Sequence, residues 1–377
     1  MSTLLCKFIP DLFKYEISFQ TNEKKYNFSA EFIINPPENF VYKPVTVYDG
    51  FIFGVIFKAM EVGEDFIVDL PLSIKAVQNI NYFIEAWADL CPDKYKRIKF
   101  TAKNIVLSSS EHFEKLEAIS AFSGGVDSCY TLIRHNERDW GEASFNLKNV
   151  LCIQGFDVPT NKTQEYKKLI SRISPIYEQF NCNKFEVWTN LKEVSQQDWE
   201  MSHGAQIACC FHLLSEHFQL GLLGSSDNYA NLTVPWGSSP STDFLLSGSK
   251  LTIVHDGSGA TRTKKVERIS GNVLATKFLK VCWEKGLEDN CGECEKCSRT
   301  KLNFLAVGIK NPECFDGITD VAKMKNLRLR NEVKLSEFYP ILKYAKEHGI
   351  NEKWLYQLRV IILKNKIKNL FRIKFKK

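Results

Sequence analysis

From Glu117 onward the chain alternates short apolar runs with helical patterns, and this alternation limits the possible folds more than any other feature. Runs at 116–122 (LEAISAF), 149–156 (NVLCIQGF), 184–189 (KFEVWT), 220–226 (LGLLGSS) and 251–256 (LTIVHD) have strand composition. Helical stretches fill 128–138, 163–180 and 201–218. Apolar strands separated by helices predict an α/β fold, a doubly wound parallel sheet covered on both faces. Ligands of such sheets sit at the carboxyl ends of the strands, where strand order reverses. The loops after Phe122, Phe156 and Gly224 are therefore the places to expect a site.

Residues 1–115 read differently. Segments 14–20, 26–34, 45–57 and 64–70 are rich in β-branched and aromatic residues and are expected as strands. A helical pattern at 74–90 stops at Cys91-Pro92, a strand-like piece follows at 95–109, and SEHFEK (110–115) reads as a short connector. No motif with chemistry lies here. The expected organisation is an α+β accessory or partner-binding domain at 1–115, an α/β domain at 116–314 and a helical basic tail at 315–377. Hydrophobic residues are 44% and charged residues 25%, the balance of an ordinary globular chain. The N-terminus lacks a basic segment followed by an apolar run, and no apolar run reaches the roughly 18–20 residues that span a bilayer. A cytoplasmic protein is expected, so its twelve cysteines read as thiols, metal ligands or core residues. The net charge of +6 belongs to residues 356–377, whose eight Lys/Arg and no acid leave the remainder near −2.

The turn Ser123-Gly124-Gly125-Val126-Asp127-Ser128 joins an expected strand to an expected helix. Two glycines let the backbone turn sharply and approach a ligand, and the following helix offers open N–H groups to an anion. The hydroxyls of Ser123 and Ser128 add donors. Phosphate alone would repel Asp127, which makes sense as a helix cap, a Mg²⁺ ligand, or both. The plain alternative is a glycine turn before a capped helix.

Cys282, Cys291, Cys294 and Cys297 stand in the spacing C-x8-C-x2-C-x2-C. Three thiolates on one tight loop and a fourth, Cys282, arriving from an expected preceding strand satisfy a tetrahedral Zn²⁺ site; an iron–sulfur cluster accepts the same four. Cys129, just inside the first helix, reads either as a core residue or as a thiol of lowered pKa.

The hexapeptide resembles the SGGxDS pyrophosphate loop of the N-type ATP pyrophosphatases. With the cysteine pattern, Gly292 and Arg299, it resembles the 7-cyano-7-deazaguanine synthase (QueC) family over about half the chain, 118–308. The resemblance implies ATP, Mg²⁺ and Zn²⁺ as cofactors, with Ser123, Gly124, Gly125 and Val126 around the phosphates and Asp127 and Ser128 in catalysis. Arg262 and Lys265 of GATRTKKVER stand where the family has a threonine–lysine motif and are expected on pyrophosphate, with Lys264 the alternative in a neighbouring register. Phe156 is a candidate to lie against adenine, or else an aromatic at the sheet end. His203 and Gly204 occupy the place of the family's PGRN helix start. Tyr229 and Trp236 are candidates to stack on a flat base, and Asp243 to accept from a guanine-like edge.

Family members adenylate 7-carboxy-7-deazaguanine and go on to a nitrile. This chain departs from the PGRN and YPDCR segments and carries 115 extra residues. It thus looks more like the longer branch found in bacterial antiphage operons (QatC-like proteins and the QueC-like proteins of type IV CBASS). That likeness implies transfer of the acyl group to an amine, the N-terminus of a partner protein. The other readings are release of free nitrile or amide, a tRNA-modifying enzyme, and a nucleotide sensor without turnover. For the basic tail the readings are nucleic acid, an anionic membrane surface, an acidic partner, or a solvated helix face.

Overall fold

Strand runs and helices alternate as the apolar pattern predicts, and they assemble into one sheet. The structure is a computed structural model that describes residues 1–107, 116–282, 289–329 and 332–374. The connector expected at 110–115 and the last three tail residues lie outside the described residues. The strands are β1 (Ser2–Ile9), β2 (Lys14–Gln20), β3 (Phe28–Asn35), β4 (Phe66–Ser73), β5 (Phe100–Val106), β6 (Ala118–Ala121), β7 (Leu147–Gln154), β8 (Asn183–Thr189), β9 (Leu220–Gly224) and β10 (Thr252–Asp256). The helices are α1 (Asp49–Val62), α2 (Ile74–Leu90), α3 (Val126–Asn136), α4 (Thr163–Glu178), α5 (Leu191–Ser195), α6 (Trp199–His212), α7 (Arg262–Ser270), α8 (Val273–Phe278), α9 (Glu295–Ala306), α10 (Glu332–Ser336), α11 (Tyr339–Glu347) and α12 (Lys353–Lys374).

Across the sheet the order is β10-β9-β6-β7-β8-β3-β2-β1-β4-β5. The five strands from β6 to β10 pair in parallel. The chain leaves β6 through β7 and β8 on one side, then returns to place β9 and β10 on the other. Strand order therefore reverses between β6 and β9, where a doubly wound sheet opens a ligand crevice. Alternate residues of β7 feed two cores, Val150 and Cys152 on one face and Leu151 on the other. A third core gathers α9, α11 and α12.

At β8 the sheet does not stop. β3 pairs antiparallel with β8, from Phe32 opposite Thr189 to Asn35 opposite Glu186, and β2, β1, β4 and β5 follow. The first hundred residues thus extend the sheet, and a single core runs from Leu4 to Ile253. Segment 45–57, expected as a strand, contains most of α1 instead. Its run of apolar residues is buried all round, and a short run of that kind has no periodicity to separate strand from helix. Gly50 and Gly54 let α1 lie directly on α6, because a Cβ at Gly50 would stand 2.5 Å from the Cβ of His212. Asp49, at the start of α1, accepts from the Ser73 backbone and hydroxyl at 2.8 and 2.6 Å. Among the described residues no helix is long and apolar enough to cross a membrane.

Candidate functional site

The SGGVDS turn lies between β6 and α3, at the reversal of strand order. Gly124 has φ +71°, and a Cβ there would come within 2.4 Å of Ile173 Cγ2, so handedness and space both require glycine. Its carbonyl accepts from the Lys280 N–H at 2.8 Å, which pins the turn from behind. Gly125 is the cap residue of α3, with no side-chain bond closing the helix end. Asp127 is therefore not the cap. It sits two residues further in, and its carboxylate receives Arg262 Nη1 at 3.0 Å and Lys265 Nζ at 3.1 Å. Burial alone would raise this carboxyl, but the charges of Lys265, Arg262 and Arg299 overcome it and hold the group below the usual carboxylate range. The Ser128 hydroxyl turns back to the Gly125 carbonyl at 3.1 Å, whereas Ser123 is exposed.

Both cations come from α7, which Thr261 starts by accepting from Lys264 N–H. Three residues apart, Arg262 and Lys265 share one helix face. Lys265 is buried and also donates to the Ser225 hydroxyl at 2.8 Å and to the Ser225 carbonyl. Lys264 is exposed on another face. The structure thus brings Arg262 and Lys265 to the turn and leaves Lys264 outside.

The turn opens into a cleft of about 280 Å³ whose walls include Ser123, Asp127, Phe156, Trp199, Arg262 and Lys296. Val126 and Ser128 line it too, as does Cys282. Lys296 is desolvated, and burial with the Arg262 charge pushes its ammonium down to about 7. Cations outnumber acids around the turn, the electrostatics of an anion site. Both Asp127 oxygens already accept from side-chain cations, so a divalent ion at that carboxylate would have to displace one of them.

Phe156 lies at the cleft wall with its ring 5.0 Å from Trp199, and a ring series continues through His203 to Trp236. His203 Nδ1 donates to the Trp199 carbonyl at 3.1 Å, and burial lowers its pKa. Gly204 donates its N–H to Gly237 O at 3.0 Å, and a Cβ there would stand 2.3 Å from that oxygen. Gly204 is thus where the 225–250 loop seats on α6. Asp243 is buried and spoken for, accepting from Ser238 Oγ at 2.6 Å, Ser239 N–H at 2.9 Å and His255 Nδ1 at 2.7 Å. Tyr229 is exposed and lines a separate depression beside Trp140 and Lys264, away from the turn.

Beside the cleft, the sulfurs of Cys282, Cys291, Cys294 and Cys297 all lie within 4.8 Å of one another, with Cys282 on an irregular segment after α8 rather than on the expected strand. Two pairs, Cys282–Cys294 and Cys291–Cys297, are 3.9 and 3.8 Å apart. A tetrahedron of ~2.3 Å Zn–S bonds has edges of about 3.8 Å, so the cluster is able to hold a metal ion such as zinc. The hydrogen bond between Cys294 and Cys297 pulls the Cys294 thiol down and pushes the Cys297 thiol up, as neighbouring sulfurs that share protons do. Cys294 also starts α9, which carries Cys297, Lys296 and the buried Arg299. Cys129 is buried with its thiol pushed up by desolvation, the core reading rather than the reactive one.

Sequence reasoning missed three residues. Trp199 has no local signal, since only the folded sheet puts it beside Phe156. Lys296 was hidden inside the cysteine motif. Asn290 is a buried brace, accepting from the Val281 and Cys282 N–H groups at 2.9 and 3.1 Å and donating to the Leu279 and Cys314 carbonyls, both at 2.9 Å. An asparagine next to a cysteine of the four-cysteine pattern was the signal available. Compared with known proteins, the chain matches no family model, no curated protein and no solved structure.

Proposed function

We propose that this chain is an AMP-forming ligase that adenylates a carboxylate with ATP and passes the acyl group to an amine. The observation that carries the reading is Asp127 held between Arg262 and Lys265 at an uncapped, glycine-shaped helix start, at the point where strand order reverses. A substrate carboxylate oxygen attacks the α-phosphorus, the bond to the bridging oxygen breaks, and pyrophosphate departs. Arg262 and Lys265 meet the leaving charge, with the backbone N–H groups of the turn beside them. Mg²⁺, when bound, supplies further charge neutralisation to the phosphates. The amine then attacks the acyl carbon, AMP leaves, and the nitrogen loses a proton to give an amide. Phe156 and Trp199 offer flat surface for adenine.

The substrate we propose is 7-carboxy-7-deazaguanine, and the acceptor the N-terminal amine of a partner protein in bacterial antiphage defence, by the likeness to the longer QueC-like branch. Release of free 7-cyano-7-deazaguanine or its amide is the second reading. A tRNA-modifying activity or nucleotide sensing without turnover rank below both. Asp243, with all its contacts internal, is better placed to shape the 225–250 loop than to read a base.

With ATP, Mg²⁺ and 7-carboxy-7-deazaguanine, the protein is expected to release AMP and pyrophosphate, and Asp127→Asn to lose that release while remaining folded. No AMP with any amine supplied overturns the ligase reading and favours the sensor. Intact-mass measurement on the candidate acceptor separates the two products, since a gain of one deazaguanine acyl group marks protein modification.

A further inference from the structure

The basic tail, left open by its sequence, is helix α12 and has two apolar faces. Leu358, Ile361 and Ile362 are buried in the third core. Asn365 fixes that face inward, accepting from Leu329 N–H at 2.9 Å and donating to Leu327 O at 3.0 Å, and Asn369 donates to Leu329 O at 3.0 Å. These bonds prevent the helix from rolling. Yet Tyr356, Leu363, Ile367 and Leu370 are 70, 58, 45 and 56% exposed on another face, with half-buried Val360 among them.

These five residues, 356, 360, 363, 367 and 370, follow each other by four, three, four and three positions. That is the a/d seam of a coiled coil, about 21 Å long on a helix rising 1.5 Å per residue. Of the five flanking e and g positions, 357, 359, 364, 366 and 371, three are basic, and Arg359, Lys364 and Lys366 are all exposed. Among the described residues no carboxylate forms an ion pair with Arg359, Lys364 or Lys366.

We propose that this face of α12 docks an amphipathic helix of a partner protein whose own flanking positions are acidic. The charges select the occupant. A second copy of this chain would bring like charges together along the whole seam, which opposes pairing. A lipid surface asks for an apolar face wider than 100°, whereas this stripe is one residue wide with cations at its own level. The surface stands independently of the proposed ligase chemistry.

Two synthetic helical peptides test it, both with Ile and Leu at a and d, one with Glu and the other with Lys at e and g. Fluorescence anisotropy with the full chain is expected to show the Glu peptide binding at least ~10-fold tighter than the Lys peptide. Leu363→Asp with Ile367→Asp should abolish binding without moving the thermal transition, because neither side chain is in a core. Lys364→Glu with Lys366→Glu should reverse the preference. Equal binding of both peptides overturns the proposal. So does failure of the Glu peptide with phosphatidylglycerol vesicles bound through Leu363 and Ile367, which assigns the face to membranes. Concentration-dependent dimers lost in the Leu363/Ile367 variant overturn it in favour of self-association.

Discussion

On one side of the β8–β3 junction the sheet is backed by rings: Tyr15, Phe19, Phe32, Phe51, Phe57 and Trp87 are all fully buried. Among the described residues of that side Asp49 is the one buried charge. On the other side the same sheet buries Arg134, Asp243, Asp256, Lys265, Lys280 and Arg299. Taking a charge out of water costs several kcal/mol unless it is paired. The contrast therefore separates a half whose core is nearly free of charge from a half that buries its charges in internal pairs, with Lys265 paired to Asp127 and Lys280 at the cleft wall. The two are joined by α1 against α6 at Gly50 and Gly54, so the dry half braces the helix that carries His203 and Gly204.

The largest effect that sharpens this contrast is expected at the cysteines. Metal analysis should find one ion per chain, and Cys294→Ser should lose it together with the cooperative unfolding transition, since binding to small zinc sites contributes ~10–16 kcal/mol to folding. A metal-free variant with unchanged melting breaks the claim. Next come two substitutions with opposite signatures. Phe57→Ala in the dry half should cost ~3–5 kcal/mol in urea unfolding and leave pyrophosphate affinity alone. Lys265→Ala should cost less stability but weaken pyrophosphate binding ~10- to 100-fold in calorimetry, the value of a charge-assisted contact. Lys264→Ala should do neither beyond ~0.5 kcal/mol. Equal losses at both lysines would mean that the sharing of a helix face does not matter.

A smaller effect concerns acid. Burial alone would raise Asp256, but the His135 hydrogen bond, the Arg134 charge and the Thr131 hydroxyl at 2.7 Å hold it below the usual range. A depressed carboxyl contributes stability that is present above its unfolded value, ~3.9, and is lost as pH falls through the folded one. Between about pH 4 and 2 the urea midpoint should therefore fall less steeply in Asp256→Asn than in the natural chain. Identical slopes would remove Asp256 from the account.

Much of the second half was legible because its signals are local. A strand, two glycines and a helix start are contiguous at 119–128, and the four cysteines are close in sequence. The five parallel strands could be read from their apolar runs. The register of Arg262, Lys264 and Lys265 could not be read, because it depends on how α7 packs on α3. Trp199 beside Phe156 depends on a sheet crossing, and Asp243 looked available only because His255 is twelve residues away.

By itself, then, the sequence determined the α/β alternation, the glycine turn at the head of α3 and the cysteine spacing, each set by backbone sterics or ligand geometry over a few residues. Only the tertiary structure decided that segment 45–57 is mostly a buried helix, that the first hundred residues share the sheet, and that α12 leaves an a/d seam outside. Those outcomes turn on which surface each apolar face finds to cover it, and that is a property of the whole chain's packing.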